Sequence, residues 1–119
     1  MSDELKKTIF LDIDGCIFKH HGSGMTGQLT SVELLPGVIE RFKLWDEKGY
    51  KIILTTGRRE SSRKTTEEQL QHFGLFWDTL VMGLPRGQRL VINDMKPGGD
   101  FTAVSINLIR NKGLGSIDI

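Results

Sequence analysis

Residues 9–15, Ile-Phe-Leu-Asp-Ile-Asp-Gly, form an apolar run that ends in two carboxylates two positions apart and then a glycine. In a strand, residues i and i+2 project from the same face. Asp12 and Asp14 therefore point the same way at the mouth of a buried strand, and Gly15 lets the backbone turn sharply. Two anions this close repel unless a cation, a proton or hydrogen bonds compensate. An all-oxygen site of this kind suits a hard divalent ion such as magnesium. The chain must therefore end a buried strand at a rim that admits polar chemistry.

The rest of the pattern supplies that rim. Residues 8–13 read as a strand buried on both faces, as inside a parallel sheet. Residues 19–31 are polar and glycine-containing, without periodicity, and read as a loop or small hairpin. Pro36 opens a helix, with Val38, Phe42 and Trp45 on one apolar stripe, Ile39 beside them and Gly49 as its stop. Tyr50 to Thr55 forms a second strand, broken by Thr56-Gly57-Arg58. Ser61 or Ser62 caps a helix to about Phe73, with Gly74 as its stop.

A short strand near Thr79–Met82 comes next, then one at Arg89–Ile92 that ends in Asn93-Asp94. Residues 102–109 alternate and predict a last strand with one wetter face at a sheet edge, and the tail from Asn111 is weakly specified. Alternating strands and helices predict an α/β fold: a single Rossmann-like domain over residues 1–119, a parallel sheet with helices on both faces. Such sheets bind ligands at the carboxyl ends of their strands, where Asp12, Asp14, Thr56, Asn93 and Asp94 should converge.

Composition narrows the partners. A formal net charge of +1 gives no bulk field for nucleic acid or an anionic membrane. Cys16 is the only cysteine, which excludes an internal disulfide and fits a reducing compartment. No apolar stretch approaches the ~18 residues of a membrane span. The first residues, acidic and basic by turns, are unlike a signal peptide. A cytoplasmic location is the expectation.

Asp12-Ile13-Asp14-Gly15, then Ile-Leu-Thr-Thr-Gly-Arg at 53–58, then Val-Ile-Asn-Asp at 91–94 resembles the haloacid dehalogenase-like phosphatases. The motifs stand in the family's order over residues 8–97. Within the family, the small capless forms of capsule biosynthesis are the most similar, through Phe76-Trp77-Asp78-Thr79-Leu80-Val81-Met82-Gly83 and Pro85. The resemblance implies a domain without a cap and a magnesium-dependent phosphomonoesterase for a small phosphorylated metabolite, a sugar phosphate among the candidates. It implies Asp12 as nucleophile, forming an aspartyl-phosphate, and Asp14 as general acid and base. Mg2+ would be held by Asp12, the Asp14 carbonyl and Asp94. Thr56 and Gly57 would bind the phosphoryl oxygens.

Two positions depart from the family pattern. Leu84 stands where a lysine is expected, with Arg86 the first substitute cation and Arg89 or Lys96 the others, and Asn93 stands where many relatives carry an acid. His20 and His21 flank the expected entrance, and Arg58, Arg59 and Arg63 form a basic cluster that reads equally as anion-binding or as solvated. Cys16 reads as a small apolar group rather than a nucleophile. Capless relatives often cover the site with neighbouring subunits, so a homo-oligomer is expected, with no nucleic acid and no membrane. The competing functions are a catalytically weak binding protein of this fold, or a receiver-like phosphoacceptor module. A receiver carries its acceptor acid at the end of a strand near mid-chain, where this chain has Ile53 to Thr56 and no acid.

Overall fold

The structure, a computed structural model, describes residues 5–22 and 26–119. The N-terminal residues read above against a signal peptide, and part of the loop after Lys19, lie outside the described residues. Three strands run parallel in the order β1 (Thr8–Asp12), β2 (Lys51–Thr55), β3 (Thr79–Val81). Helices flank the sheet: α1 (Thr26–Thr30), α2 (Val38–Lys48) and α3 (Arg63–His72), the last preceded by a 3-10 turn at Glu60–Ser62. The short helix α1 falls where the sequence predicted a loop or hairpin.

The register explains the rim. Asp12 pairs across to Thr55, and Thr55 to Val81, so the three strands end level with one another. Below that row Leu11, Ile52, Leu54 and Leu80 are buried, joined by Val38, Phe42 and Trp45 from the predicted stripe of α2 and Leu70 of α3. Gly49 ends α2 in the left-handed conformation, φ 73°, which a side chain would oppose. Asp78 ties the start of β3 to β2 twice. Its carboxylate accepts from the Ile52 N–H at 2.8 Å and its own N–H donates to the Ile52 carbonyl at 2.8 Å.

The tail is better specified than its sequence implies. Leu114 and Ile117 are buried in the core, and the Trp45 indole N–H donates to the Ile119 carbonyl at 3.3 Å. The Leu114 N–H donates to Pro36 O at 2.9 Å, and Arg41 donates to the carbonyls of Leu114 and Gly115. This backbone-on-backbone seam is so close that a Cβ on Gly113, φ +84°, would stand 2.1 Å from the Pro36 oxygen.

Two predicted strands are absent among the described residues. Residues 89–92 and 102–109 have no ladder partner, and Leu90, Val91, Ile92, Val104 and Ile106 are exposed. The physical reason is that a strand exists only where a neighbour takes its backbone bonds. Here residues 85–107 are exposed and fold on themselves through a turn in which Lys96 N–H donates to Asp100 O at 3.1 Å, and only at Leu108 does the segment pack on the core. β1 is consequently an edge strand, not a central one. Its Leu11 face is buried, while Phe10 on the other is 64% exposed, against the expectation of burial on both.

Gly113→Ala should lower stability by about 2–3 kcal/mol, from the clash and the positive φ together. Gly98→Ala, which meets open space, should change it by less than ~0.5 kcal/mol. Urea unfolding midpoints of the two variants check this.

Candidate functional site

The two carboxylates at the end of β1 are treated very differently by the fold. Asp14 sits in a closed network. Arg58 Nε donates to its Oδ2 at 2.8 Å and Arg58 Nη2 to its Oδ1 at 2.8 Å, a bidentate pair in which the Arg58 side chain is fully buried. Gln28 Nε2 also donates to Asp14 Oδ1. Arg58 Nη1 continues to Thr66 Oγ1 at 3.1 Å and Gln69 Oε1 at 2.6 Å, and its guanidinium lies 5.9 Å from the Phe18 ring centre. Gln69 Nε2 closes the circuit on the Gln28 carbonyl at 2.8 Å. Among the described residues no buried side-chain donor or acceptor is left without a partner, which a buried ion pair requires.

Asp12 stands open at the rim. One oxygen accepts from the Ile13 N–H at 3.0 Å. Its carboxyl pKa is raised above the usual value, first because the surrounding protein takes away water, and further by the Asp14 charge. The Ile13 N–H and the charges of Arg89 and His20 oppose that rise. Asp12 is thus an accessible anion that the fold destabilises, the condition a cation or an electrophile relieves.

Thr56 begins the turn after β2 and is buried. Its Oγ1 accepts from the Arg58 N–H at 3.0 Å, its N–H donates to Val81 O and its carbonyl accepts from Leu84 N–H. These bonds set the turn that delivers Arg58 to Asp14. Gly57 beside it is exposed, and a Cβ there would meet the Leu84 oxygen at 3.3 Å. Arg58, which the sequence left between anion binding and solvation, is buried and binds an anion of the chain itself, the Asp14 carboxylate. Gln28, Gln69 and Asn111 were missed. A buried amide leaves no sequence signature, because in the chain it looks like any polar loop residue. Asn111, at φ 65°, clamps the segment after the carboxylates: its N–H donates to Gly15 O at 2.9 Å and its Oδ1 accepts from His20 N–H at 2.7 Å.

The remaining sequence candidates lie farther out. Arg86 is exposed on the turn after β3, whereas Arg89 is the arginine whose charge reaches Asp12. Arg89 Nη1 donates to Pro85 O at 2.8 Å and Gly87 O at 3.0 Å, which folds the side chain over that turn. Asp94 and Asn93 are exposed, bonded to Thr102 rather than to the rim: Thr102 donates to Asp94 O, and Asn93 Nδ2 to Thr102 Oγ1 at 3.4 Å. Among the described residues no three His, Cys, Asp or Glu side chains come together as a metal cluster. Cys16 is half-buried and its thiol is pushed up to about 11, by burial and then by Asp12, so it is protonated at neutral pH.

Two measurements follow. Arg58→Ala leaves Asp14 buried without its partner and should cost about 3–5 kcal/mol. Combined with Asp14→Ala it should cost less than the sum of the two single changes, as chemical denaturation of the four proteins will show. For Asp12, the folded pKa lies above the unfolded one. Its favourable contribution is therefore complete below pH ~4 and is lost as pH rises through the folded pKa. In chelator, Asp12→Asn should thus melt higher than the parent at pH 7, and the gap should close on acidification below pH ~4.

No protein-family model matches the chain, and no curated protein matches it. Among solved structures, a chain of the Pnkp1/Rnl/Hen1 complex is 26% identical with a TM-score of 0.58, over 75% of this chain and 32% of that one. A chain of the Pnkp1/Rnl/Hen1 RNA repair complex is 28% identical with a TM-score of 0.58, over 74% of this chain and 29% of that one. A protein from Vibrio cholerae shares the fold at 19% identity and a TM-score of 0.53, over 76% of this chain and 81% of that one. The chain thus spans less than a third of the length of the first two. The likeness supports the α/β fold with a parallel sheet that the motifs imply.

Proposed function

We propose that the chain is a magnesium-dependent phosphomonoesterase acting at the Asp12–Asp14 strand end on a small phosphorylated metabolite. The observation that carries this reading is the unequal setting of the two carboxylates: one exposed and destabilised as an anion, the other locked in place by Arg58. The first is suited to attack, the second to a positioned proton transfer. The motif resemblance and the shared fold together support a phosphatase-type activity.

In this reading an Asp12 oxygen attacks phosphorus, the bond to the substrate alkoxide breaks, and an aspartyl-phosphate forms. Asp14 gives the departing oxygen a proton, then takes one from the water that attacks the same phosphorus and releases inorganic phosphate. Asp14 Oδ1 accepts two of the described bonds and Oδ2 one, which leaves an acceptor position on Oδ2 for that proton. The amide of exposed Gly57 is the donor for phosphoryl oxygens, with buried Thr56 setting its turn and Arg89 or Arg86 as the cation that Leu84 does not provide.

The donor chemistry fits a hard divalent ion: the Asp12 carboxylate and the Asp14 carbonyl are oxygens at one strand end, and Asp12 is an anion in need of a counter-charge. Asp94, held at Thr102 rather than at the rim, would have to move to serve as the third oxygen donor. When bound, the ion supplies neutralisation of charge between nucleophile and phosphate. A second reading, a nucleic-acid 3′-phosphate as substrate, is favoured by the likeness to a chain of an RNA repair complex. The near-neutral charge argues against it.

Hydrolysis of p-nitrophenyl phosphate should require Mg2+ and should fall on the order of 1,000-fold or more in Asp12→Asn. A panel of sugar phosphates and nucleoside 3′-phosphates should then show sugar phosphates as the better substrates. Absence of metal-dependent turnover across the panel would leave a binding protein of this fold as the surviving reading.

A further inference from the structure

We infer that His20 and Arg110 form a second anion subsite beside the Asp12–Asp14 strand end, selecting phosphomonoesters whose leaving group carries a carboxylate or a further phosphate. This deepens the phosphatase reading and rests on it. The two side chains meet over Gly15, the residue that follows the carboxylates. Gly15 is buried, and a Cβ on it would stand 3.5 Å from Arg110 Cγ and 3.9 Å from His20 Cβ.

Both are mounted by the same residue. Asn111 Oδ1 accepts from His20 N–H at 2.7 Å, and Asn111 Nδ2 donates to the His20 carbonyl at 3.2 Å. The Asn111 N–H donates to Gly15 O at 2.9 Å, which pins the backbone next to Arg110. Gln28 holds the residues on either side of His20. Its Nε2 donates to Lys19 O at 3.1 Å and its Oε1 accepts from His21 N–H at 2.7 Å. The Lys19 N–H donates to Glu33 O at 2.8 Å, so every backbone group from Lys19 N–H to His21 N–H is bonded. Residues 19–21 belong to no helix or strand, and two amide side chains supply most of this bracing. A loop held in this way presents its side chains in fixed places, as a binding site requires.

What the mounting presents is polar, and the fold leaves it unused. His20 Nδ1 accepts from Gly22 N–H at 3.0 Å, which puts the ring proton on Nε2 and makes that atom the remaining donor. The ring is close enough for its charge to act on Asp12. Arg110 is exposed, and among the described residues its guanidinium has neither a carboxylate nor a hydrogen-bond acceptor. Arg58 answers Asp14, and the charge of Arg89 reaches Asp12, so Arg110 is a cation the two carboxylates do not absorb. Covering Gly15 would need only an apolar stem. A guanidinium fork matches two oxygens of a carboxylate or phosphate, and an imidazole N–H adds a further bond. With Gly57 and Arg89 or Arg86 assigned to the transferred phosphoryl group, His20 and Arg110 are left for an anion elsewhere on the substrate.

The test uses the full chain with Mg2+ and two matched pairs of substrates. 3-Phosphoglycerate carries a carboxylate that glycerol 3-phosphate lacks, and fructose 1,6-bisphosphate a phosphate that fructose 6-phosphate lacks. In at least one pair the anionic member should have the higher kcat/KM by on the order of 10-fold, the worth of a hydrogen bond to a charged group. The pair that shows the preference identifies the anion. Arg110→Met, which keeps a stem over Gly15, should bring that ratio to about 1, and His20→Phe should reduce it. A variant that merely loosened the fold would slow both members of a pair alike, so the ratio separates a lost contact from a lost structure. A parent that hydrolyses phosphomonoesters without preference in either pair, or a ratio that survives Arg110→Met, overturns the subsite and leaves the phosphatase reading standing. If the parent hydrolyses no phosphomonoester, the phosphatase reading fails, and calorimetric titration of the same four compounds decides the subsite by the ratio of their dissociation constants.

Discussion

The buried ion pair between Arg58 and Asp14 is the constraint on which the site depends. It joins the turn after β2 to the end of β1, and through Gln28, Thr66 and Gln69 it recruits α1 and α3. Burying a guanidinium and a carboxylate is costly unless every donor and acceptor is used. Here each of the three Arg58 nitrogens has a named acceptor. The geometry is consequently stiff: a bidentate fork fixes the plane of the Asp14 carboxylate as well as its position. A residue positioned in this way can do directed proton chemistry, whereas a mobile carboxylate at a rim cannot.

The same pair explains why Asp12 differs from its neighbour. Arg58 spends its charge on Asp14, so Asp12 has only one backbone N–H and two more distant cations to set against crowding and the Asp14 anion. Two identical side chains, two residues apart, therefore end up with opposite electrostatic situations. The asymmetry that phosphoryl transfer would use is created by one arginine choosing one carboxylate. Asn111 supports it from the far end of the chain, holding the backbone of Gly15 and His20 where the turn must stay.

Against this rigid centre residues 85–107, an arm exposed along its whole length, are the opposite extreme. The body closes its core with the tail, through Leu114, Ile117 and the Trp45–Ile119 bond, and so needs nothing from the arm to cover its α2 side. The β1 edge is where that self-sufficiency ends. An open parallel edge beside an exposed phenylalanine is unfinished sheet, and the arm presents residues of the kind that finish one.

Much of this was legible in the chain. The strand ending at Asp12, the apolar stripe of α2, the glycine stops and the level rim follow from periodicity and turn chemistry, because these are local properties of a few consecutive residues. The chain alone also determined that Asp12 and Asp14 stand two residues apart where a strand ends. Only the tertiary structure decided their roles. Which carboxylate receives Arg58, and that Gln28 and Asn111 matter, depend on residues 14 to 96 positions apart meeting in space, and that β1 lies at an edge depends on how the strands are ordered. The strand expected at 89–92 shows the same limit from the other side. Leu90, Val91 and Ile92 state a preference for a sheet, but a strand needs a partner's hydrogen bonds, and no stretch of sequence can state whether that partner is there.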